Sequence, residues 1–423
     1  MIRRIQIKNY KSLKNIEVSL GQLAVIFGPN AVGKSNLFDA LNLLARLVTK
    51  KNLKEAFDGH RGLPIEAVHY DKGTIRDLLS EKTHTISFSV DVELSAPVIN
   101  DIETRIKELR QGIDKKSGEP EDKTKITNHQ LRYDLEIEVI SASGQLRVMN
   151  ERLAALRKSG HAEKARGAFI EKVGPKLSLR MEGQSHPTNH EIGLDYTITS
   201  TPLYPPHYPH LTAFREEMSR CHFYYFEPWA LMRGANGIAE VNNLGPRGED
   251  LAAFYHTLSL KQPQQFQALK LAAKQVLPRL EDIDVERTDK AELFLRIQEN
   301  GAFYSNRLIS EGTLRVLGLL AVLSPSSKST TIGYEEPENG VHPRRLKLIA
   351  EMLRNAANEN RQILINTHSP VLPGYFKNKE LLKCQRSGTA TTIVPFTSSG
   401  ELFRENEIEE NLEDQILRGD YGG

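Results

Sequence analysis

An α/β fold whose phosphate-binding core is divided between the two ends of the chain follows from three features of the sequence. Residues 28–35, Gly28-Pro29-Asn30-Ala31-Val32-Gly33-Lys34-Ser35, fit G-x-x-x-x-G-K-[ST] at every constrained position. Far downstream, an apolar helix and two apolar strands, one running into Glu335-Glu336 and the next into Thr367-His368, restore regular α/β order. Between these ends, Ile86 to Leu94 and Leu131 to Ile140 place apolar residues at every second position, the pattern of antiparallel strands with one polar face.

Composition narrows the classes. At 423 residues the chain predicts two or three domains with ample length for a core. A hydrophobic content of 39%, 26% charged residues and a net charge of +2 describe an ordinary globular chain, so any nucleic-acid contact must be a local patch. Cys221 and Cys384 lie far apart and outside any C-x-x-C spacing, which argues against a disulfide framework and a cysteine zinc site and points to the cytoplasm. Arg3, Arg4, Gln6, Lys8 and Asn9 do not make an apolar leader, and the longest apolar stretch, Val316 to Leu323, is too short to cross a bilayer, so no membrane role is expected.

In chain order, Ile2 to Ile7 and Ile16 to Leu20 alternate on either side of Asn9-Tyr10-Lys11-Ser12, predicting a strand pair. Leu23 to Phe27 reads as a buried strand, and Asn36 to Val48 carries Leu37, Leu41, Leu44 and Val48 at helical spacing. The glycine-rich loop therefore joins strand to helix. There its N–H groups and the helix N-terminus can hold phosphates, Lys34 can reach the β- and γ-phosphates, and Ser35 can ligate Mg²⁺. Charged stretches at Ile99 to Gln111 and Val148 to Val173 are expected to be helical and to form an inserted arm. Thr201 to His210, rich in proline, reads as an extended surface connection; His207 and His210 have no acidic neighbour in sequence and are not expected to bind metal. A helix is expected after Leu244, strands at Ile283 to Arg287 and Leu293 to Gln298, then the helix Glu311 to Leu323, the strand Thr330 to Tyr334, the helix Pro343 to Ala357 and the strand Gln362 to Asn366. The expected organisation is residues 1–95 and 221–423 as two parts of one nucleotide-binding head, with 96–220 as the insert.

A phosphate cradle needs an acidic partner on a neighbouring strand. Glu335 can hold the Mg²⁺ shell and Glu336 can orient the attacking water. His368 closes the next strand at its C-terminal end, where α/β sheets bind ligands. Ser310, Glu311, Gly312 and Thr313 open the apolar helix with a hydroxyl and a glycine N–H suited to an anion.

With these residues in place the chain resembles the ATP-binding-cassette ATPases of the RecF, SMC and OLD type, within the AAA-family ATP-binding proteins. The resemblance rests on Asn9-Tyr10-Lys11-Ser12, GPNAVGKS at 28–35, ISEGTLR at 309–315, YEEPENGVHP at 334–343 and NTHSP at 366–370, in the family's order. It implies that ATP and Mg²⁺ are the ligands, that residues 28–36 and Lys11 surround the nucleotide, and that Lys34, Glu336 and His368 are catalytic. It also implies that Ser310 to Thr313 form a signature touching the γ-phosphate held by a second subunit, hence a homodimer, and that Asn339 to His342 lie in the D-loop region. The chain departs from the pattern in having Glu335 where the family has Asp, SEGTL in place of SGGQ, and no assignable Q-loop glutamine.

The function expected is a cytoplasmic ATPase whose dimerisation acts on DNA or on a separate effector protein, in phage defence or DNA repair. An ABC transporter subunit is the alternative, but Arg315-Val316-Leu317-Gly318-Leu319-Leu320 lacks the run that usually follows the transporter signature. An OLD-like nuclease component is another, yet the residues after His368 lack a D-x-D pair, and the absence of C-x-x-C in the insert argues against a zinc-hook arm. Arg152, Arg157, Lys158, Lys164, Arg166, Lys172, Lys176 and Arg180 give the insert a local basic excess that could meet DNA. The acidic residues Glu401 to Asp414, the tail that follows to Tyr421 and the Thr201 to His210 stretch are candidate docking surfaces.

Overall fold

The computed structural model describes residues 1–70, 75–111, 125–156, 167–182 and 186–396, which form two compact units. The first comprises Met1–Gly21, Asn30–Cys221 and Cys384–Val394; the second takes Gln22–Pro29, His222–Lys383 and the residues from Pro395 on. The division runs through the glycine-rich loop itself, between Pro29 and Asn30.

The first unit is built on an eight-stranded sheet. Its strands are β1 (Ile2–Tyr10), β2 (Leu13–Ser19), β4 (Thr83–Glu93), β5 (Gln130–Ile140), β6 (Leu146–Ala155), β7 (Ile170–Val173), β8 (Lys176–Leu179) and β9 (Thr188–Glu191), in the order β2-β1-β4-β5-β6-β7-β8-β9. Its neighbouring strands all pair antiparallel, and the register explains the alternation. Val18, Ile5, Val90, Tyr133, Leu153, Ile170 and Leu179 are successive cross-strand partners and all are buried, one continuous apolar row on one face. Helices α1 (Lys34–Thr49), α2 (Leu53–Phe57), α3 (Ile75–Ser80), α4 (Ala96–Gln111) and α5 (Pro209–Ser219) complete the unit.

Among the described residues of the segment expected to be helical, Val148 to Val173, the chain forms strands instead, most of β6 and all of β7. Two features disguised the strand. Glu136 pairs with Asn150 and Ile137 with Val148, so Met149 is an extra residue that breaks the alternation. Two residues further along the strand, Glu151 points inward and is wholly buried, where it accepts hydrogen bonds from Tyr133 Oη, Thr199 Oγ1 and the Ile198 and Thr199 amides. Of the insert's basic residues, Arg152 pairs with Asp134 and Arg180 with Glu171; Arg157, Lys158, Lys164 and Arg166 lie outside the described residues, as does the acidic tail. The Thr201 to His210 stretch, expected as an extended surface connection, is a loop up to Tyr208. It turns at Tyr204–Tyr208 and enters α5, and buried His210 meets an acidic partner that sequence proximity could not reveal, with Nδ1 2.6 Å from Glu182 Oε2.

In the second unit, β3 (Leu23–Phe27), β10 (Cys221–Tyr224), β15 (Thr331–Glu335), β16 (Gln362–Thr367) and the start of β17 (Leu381–Ser387) form a sheet in the order β10-β15-β16-β3-β17. The β15-β16, β16-β3 and β3-β17 pairings are parallel, and β3 and β16 are buried along their whole length, as strands covered on both faces must be. A smaller antiparallel sheet carries β11 (Asn236–Gly237), β12 (Asp282–Arg287), β13 (Glu292–Glu299) and β14 (Ala302–Ser305). Helices α6 (Leu251–Lys261), α7 (Pro263–Val276), α8 (Glu311–Leu323) and α9 (Leu346–Ala356) share one apolar core with these strands, and Tyr255 Oη finds its buried partner in the Leu317 carbonyl at 3.0 Å. Beyond Lys383, β17 passes into the first unit, followed by β18 (Ala390–Pro395).

Candidate functional site

Within the first unit, the loop after Pro29 is braced from behind. Arg386 Nη1 donates to the Ala31 carbonyl at 3.0 Å and Thr391 Oγ1 to the Val32 carbonyl at 2.6 Å. Carbonyl and N–H of a trans peptide point in opposite directions, so fixing these two carbonyls turns the Val32 and Gly33 N–H groups to the other side. Ala31 and Gly33 both hold positive φ, 64° and 101°. A Cβ at Gly33 would lie 2.2 Å from Thr391 Oγ1 and 2.4 Å from Ser12 Oγ, so only glycine fits. Gly33 caps α1 without a side-chain hydrogen bond, the first turn holds no acidic residue, and Lys34 is buried. A helix N-terminus of this kind suits an anion.

Around it, Lys11 Nζ lies 2.8 Å from Asp39 Oδ2, and Arg61 Nε 3.5 Å from Asp39 Oδ1. Asp39 stands four residues after Ser35 and thus on the same helix face. Asn36 Nδ2 donates to Ser12 Oγ at 2.7 Å, so its amide works on the scaffold. Ser12 in turn lies 2.6 Å from Thr391 Oγ1. Cys384 is buried beneath Val32, and burial pushes its thiol up to about 12, which leaves no thiolate nucleophile there. Arg386 and Thr391 carried no sequence signal, being more than 350 residues downstream of the loop they brace.

Within the second unit, the sheet register levels the strand ends. Glu335 pairs with Asn366 and Thr367 with Phe27, so Gly28 and Pro29 leave β3 at the end where Glu336 and His368 leave β15 and β16. This is the carboxyl end of a parallel sheet, where such folds bind ligands. The strand stops at Glu335. Glu336 takes φ of 53°, and its N–H donates to the Asn366 carbonyl at 3.0 Å, so a left-handed residue rather than strand alternation sets the direction of its side chain. Glu336 Oε1 lies 3.0 Å from His368 Nδ1, and Oε2 accepts from Asn339 Nδ2 at 2.6 Å. Glu338 Oε1 accepts from Thr367 Oγ1 at 2.5 Å and from the Ser369 amide at 3.2 Å.

Ser310 is the N-cap of α8: its Oγ accepts from the Thr313 amide at 3.2 Å and lies 2.9 Å from Thr313 Oγ1. A Cβ on Gly312 would lie 2.3 Å from the Gly340 carbonyl oxygen, so the start of α8 rests backbone to backbone on the turn that follows Glu336. The chemistry of these groups fits a nucleoside triphosphate and a hard divalent cation. In the first unit the braced N–H groups and Lys34 suit phosphate and the Ser35 hydroxyl is an oxygen donor of the kind Mg²⁺ prefers; in the second, the Glu335 carboxylate is another.

Two family models match the chain: an AAA ATPase domain over residues 1–165, and over residues 210–372 a model described as "AAA domain, putative AbiEii toxin, Type IV TA system". A stretch of 44 residues is 41% identical to an OLD nuclease of Thermus scotoductus, covering 10% of this chain and 8% of that nuclease. Among solved structures, an SMC head bound to the C-terminal winged-helix domain of ScpA is 10% identical with a TM-score of 0.50, covering 93% of this chain and 97% of that one. An SMC head with an extended coiled coil, bound to the C-terminal domain of ScpA from Pyrococcus furiosus, is 9% identical with a TM-score of 0.48, over 98% and 99% of the two chains. The two AAA models at the two ends of the chain and the short OLD likeness, with an SMC-head fold, support an AAA/ABC-type ATPase of the SMC, RecF and OLD group.

Proposed function

We propose that this chain binds ATP with Mg²⁺ and hydrolyses it as a head-to-tail homodimer, whose nucleotide-dependent closure is read by a separate effector protein or by DNA. The observation that carries the reading is Glu336, held by Asn339 on one oxygen and facing His368 on the other, at the sheet end where the phosphate loop begins. A carboxylate fixed at both oxygens keeps its remaining lone pairs in place, which suits a base that orients water. His368 is the group through which Glu336 would sense the γ-phosphate. Pro29 shapes the loop without an N–H to give, while Gly28, Asn30, Ala31, Val32, Gly33 and Ser35 would supply N–H donors, Lys34 would compensate phosphate charge, and Asn36 and Lys11 support the loop from Ser12 and Asp39. Ser35 and Glu335 would hold Mg²⁺, which when bound spreads the developing negative charge of the transferred phosphoryl group.

The chain has a single phosphate loop and a single Ser310-Glu311-Gly312-Thr313 signature, so a two-fold dimer completes both sites at once. A setting in phage defence is supported by the toxin–antitoxin wording of one family model and by the short likeness to an OLD nuclease; DNA repair shares the same ATPase group. A protein partner is supported by the SMC heads bound to ScpA. No described helix is long and apolar enough to cross a membrane. Cys221 and Cys384 are buried and form no disulfide, which supports a cytoplasmic setting. The test is ATP turnover together with light scattering in a non-hydrolysable ATP analogue. Wild type should turn over ATP and shift from monomer to dimer, and Lys34→Ala should do neither. A wild-type chain that stays monomeric with every analogue and releases no phosphate sinks the proposal.

A further inference from the structure

We infer that Glu338 is a positioning residue that tethers the Thr367–Ser369 turn, and so holds His368 against Glu336. The three acidic and imidazole groups differ in exposure: the side chains of His368 and Glu336 are 36% and 33% accessible, that of Glu338 only 9%. One oxygen, Glu338 Oε1, takes hydrogen bonds from Thr367 Oγ1 and the Ser369 amide, the residues on either side of His368. The Ser369 amide is shared with Thr367 Oγ1 at 3.0 Å, and Ser369 Oγ accepts from the Val371 and Leu372 amides, so the clasp extends into the next turn of chain. His368 Nδ1 sits 3.0 Å from Glu336 and 3.7 Å from Glu338 Oε1, between two carboxyl groups.

The other oxygen explains why this residue is not a second base. Glu338 Oε2 is buried and has no hydrogen-bond partner among the described residues, so its lone pairs are closed off from the solvent side, where a base would have to take its proton. Burial also raises the Glu338 carboxyl above its ordinary range, against the pull of Thr367 and His368. A group that works only through one accepting oxygen can be replaced by an amide; a base cannot.

The link to His368 as a catalytic group rests on the ATPase reading, but the tether itself does not, and two measurements separate them. The first is hydrogen exchange of the Ser369 amide in the full chain, which needs no turnover. The second is the kinetics of ATP hydrolysis. In Glu338→Ala the Ser369 amide should exchange about 10-fold or more faster, and kcat should fall roughly 10- to 100-fold with KM changed less than about 3-fold. Glu338→Gln should restore both to within about 3-fold of wild type, because its carbonyl oxygen accepts the same two donors and its NH₂ replaces an oxygen that has no partner. Thr367→Val, cutting the clasp from the other side, should lower kcat like Glu338→Ala and serves if that variant fails to fold. Glu338→Gln as slow as Glu336→Gln with native exchange, or Glu338→Ala with native exchange and kcat, overturns the inference. If wild type shows no turnover, the ATPase reading falls and the Ser369 amide alone decides the tether.

Discussion

Glu336→Gln separates chemistry from binding most sharply. Glutamine keeps the length of the side chain and one accepting oxygen. His368 Nδ1, 3.0 Å away, can keep its contact, and Asn339, whose Nδ2 now donates to Oε2 at 2.6 Å, need only turn its amide over to accept from the new NH₂. The substitution is partly exposed and leaves the left-handed backbone as it was, so stability should change by less than about 0.5 kcal/mol. What is lost is the base. General-base catalysis contributes about 10²- to 10⁴-fold, which at about 1.36 kcal/mol per tenfold is roughly 3–5 kcal/mol of barrier. Single-turnover hydrolysis should therefore slow by at least about 100-fold while nucleotide affinity holds within about 3-fold. The dimer should accumulate with ATP itself, whereas in wild type it should do so only with a non-hydrolysable analogue. A hydrolysis rate within a few-fold of wild type would refute the assignment of Glu336 as base, whatever happens to the dimer.

Four other outcomes follow from single contacts. Gly33→Ala drives a Cβ into Thr391 and Ser12 at a φ of 101°, and should cost about 1–3 kcal/mol and abolish nucleotide binding, read by thermal melts with and without ATP. Gly312→Ala forces the start of α8 off the Gly340 carbonyl; a loss of about 1–3 kcal/mol and a weakened ATP-dependent dimer should appear in melts and light scattering. Glu151→Gln is isosteric, yet sets an NH₂ among four donors and should destabilise by about 1–3 kcal/mol. Burial holds the Glu151 carboxyl above its ordinary range, so the folded chain binds that proton more tightly than the unfolded one. Its contribution is full below the ordinary carboxylate pKa and is lost as pH rises from there through the raised folded value, a slope that urea midpoints should show in wild type and not in Glu151→Gln. If the insert binds DNA through Lys172, Lys176 and Arg180, affinity should fall steeply with salt and show little sequence preference; salt-insensitive binding would assign them to a solvated face.

What could be read from the sequence was what local pattern determines. The loop at 28–35 is contiguous, β4 and β5 alternate without interruption, and α8 spans Glu311–Leu323, the range its apolar run and Ser310 cap indicate. Glu336 and His368 could be matched because each ends an apolar strand, and the parallel register then brings those ends together. What escaped was set by contacts remote in sequence. β6 was masked by the Met149 bulge and by Glu151, whose inward charge is tolerable only because Tyr133, Ile198 and Thr199 gather around it. Arg386 and Thr391 brace the loop from the far end of the chain, and the Glu338 clasp depends on where β16 lies beside β15. None of these residues carries a periodicity or a spacing of its own.

Backbone strain gives a separate line of argument to the same residues. Seven described non-glycine residues hold positive φ. Asp250 caps α6, and Ala291 and Asn300 lie in the tight connections flanking β13, positions where turn geometry alone calls for that conformation. The other four are Asn9, Lys11, Ala31 and Glu336, every one inside a motif that carries the family resemblance. Lys11 is the most telling. Tyr10 pairs with Leu13, so Lys11-Ser12 is a two-residue hairpin loop; with positive φ at its first position alone, glycine there is the unstrained choice, and lysine costs about 1–2 kcal/mol. The neighbourhood holds it in place: its N–H donates to Ala67, its ammonium pairs with Asp39, and the Asn9 side chain is tied to the Thr85 carbonyl. Glu336 is pinned likewise by Asn366, and Ala31 by Arg386. A hairpin selected for stability alone would shed that cost with one substitution to glycine. The chain instead keeps a cation at the strained position, paired with Asp39 on the helix that begins with Lys34 and Ser35, which accords with the nucleotide site proposed there.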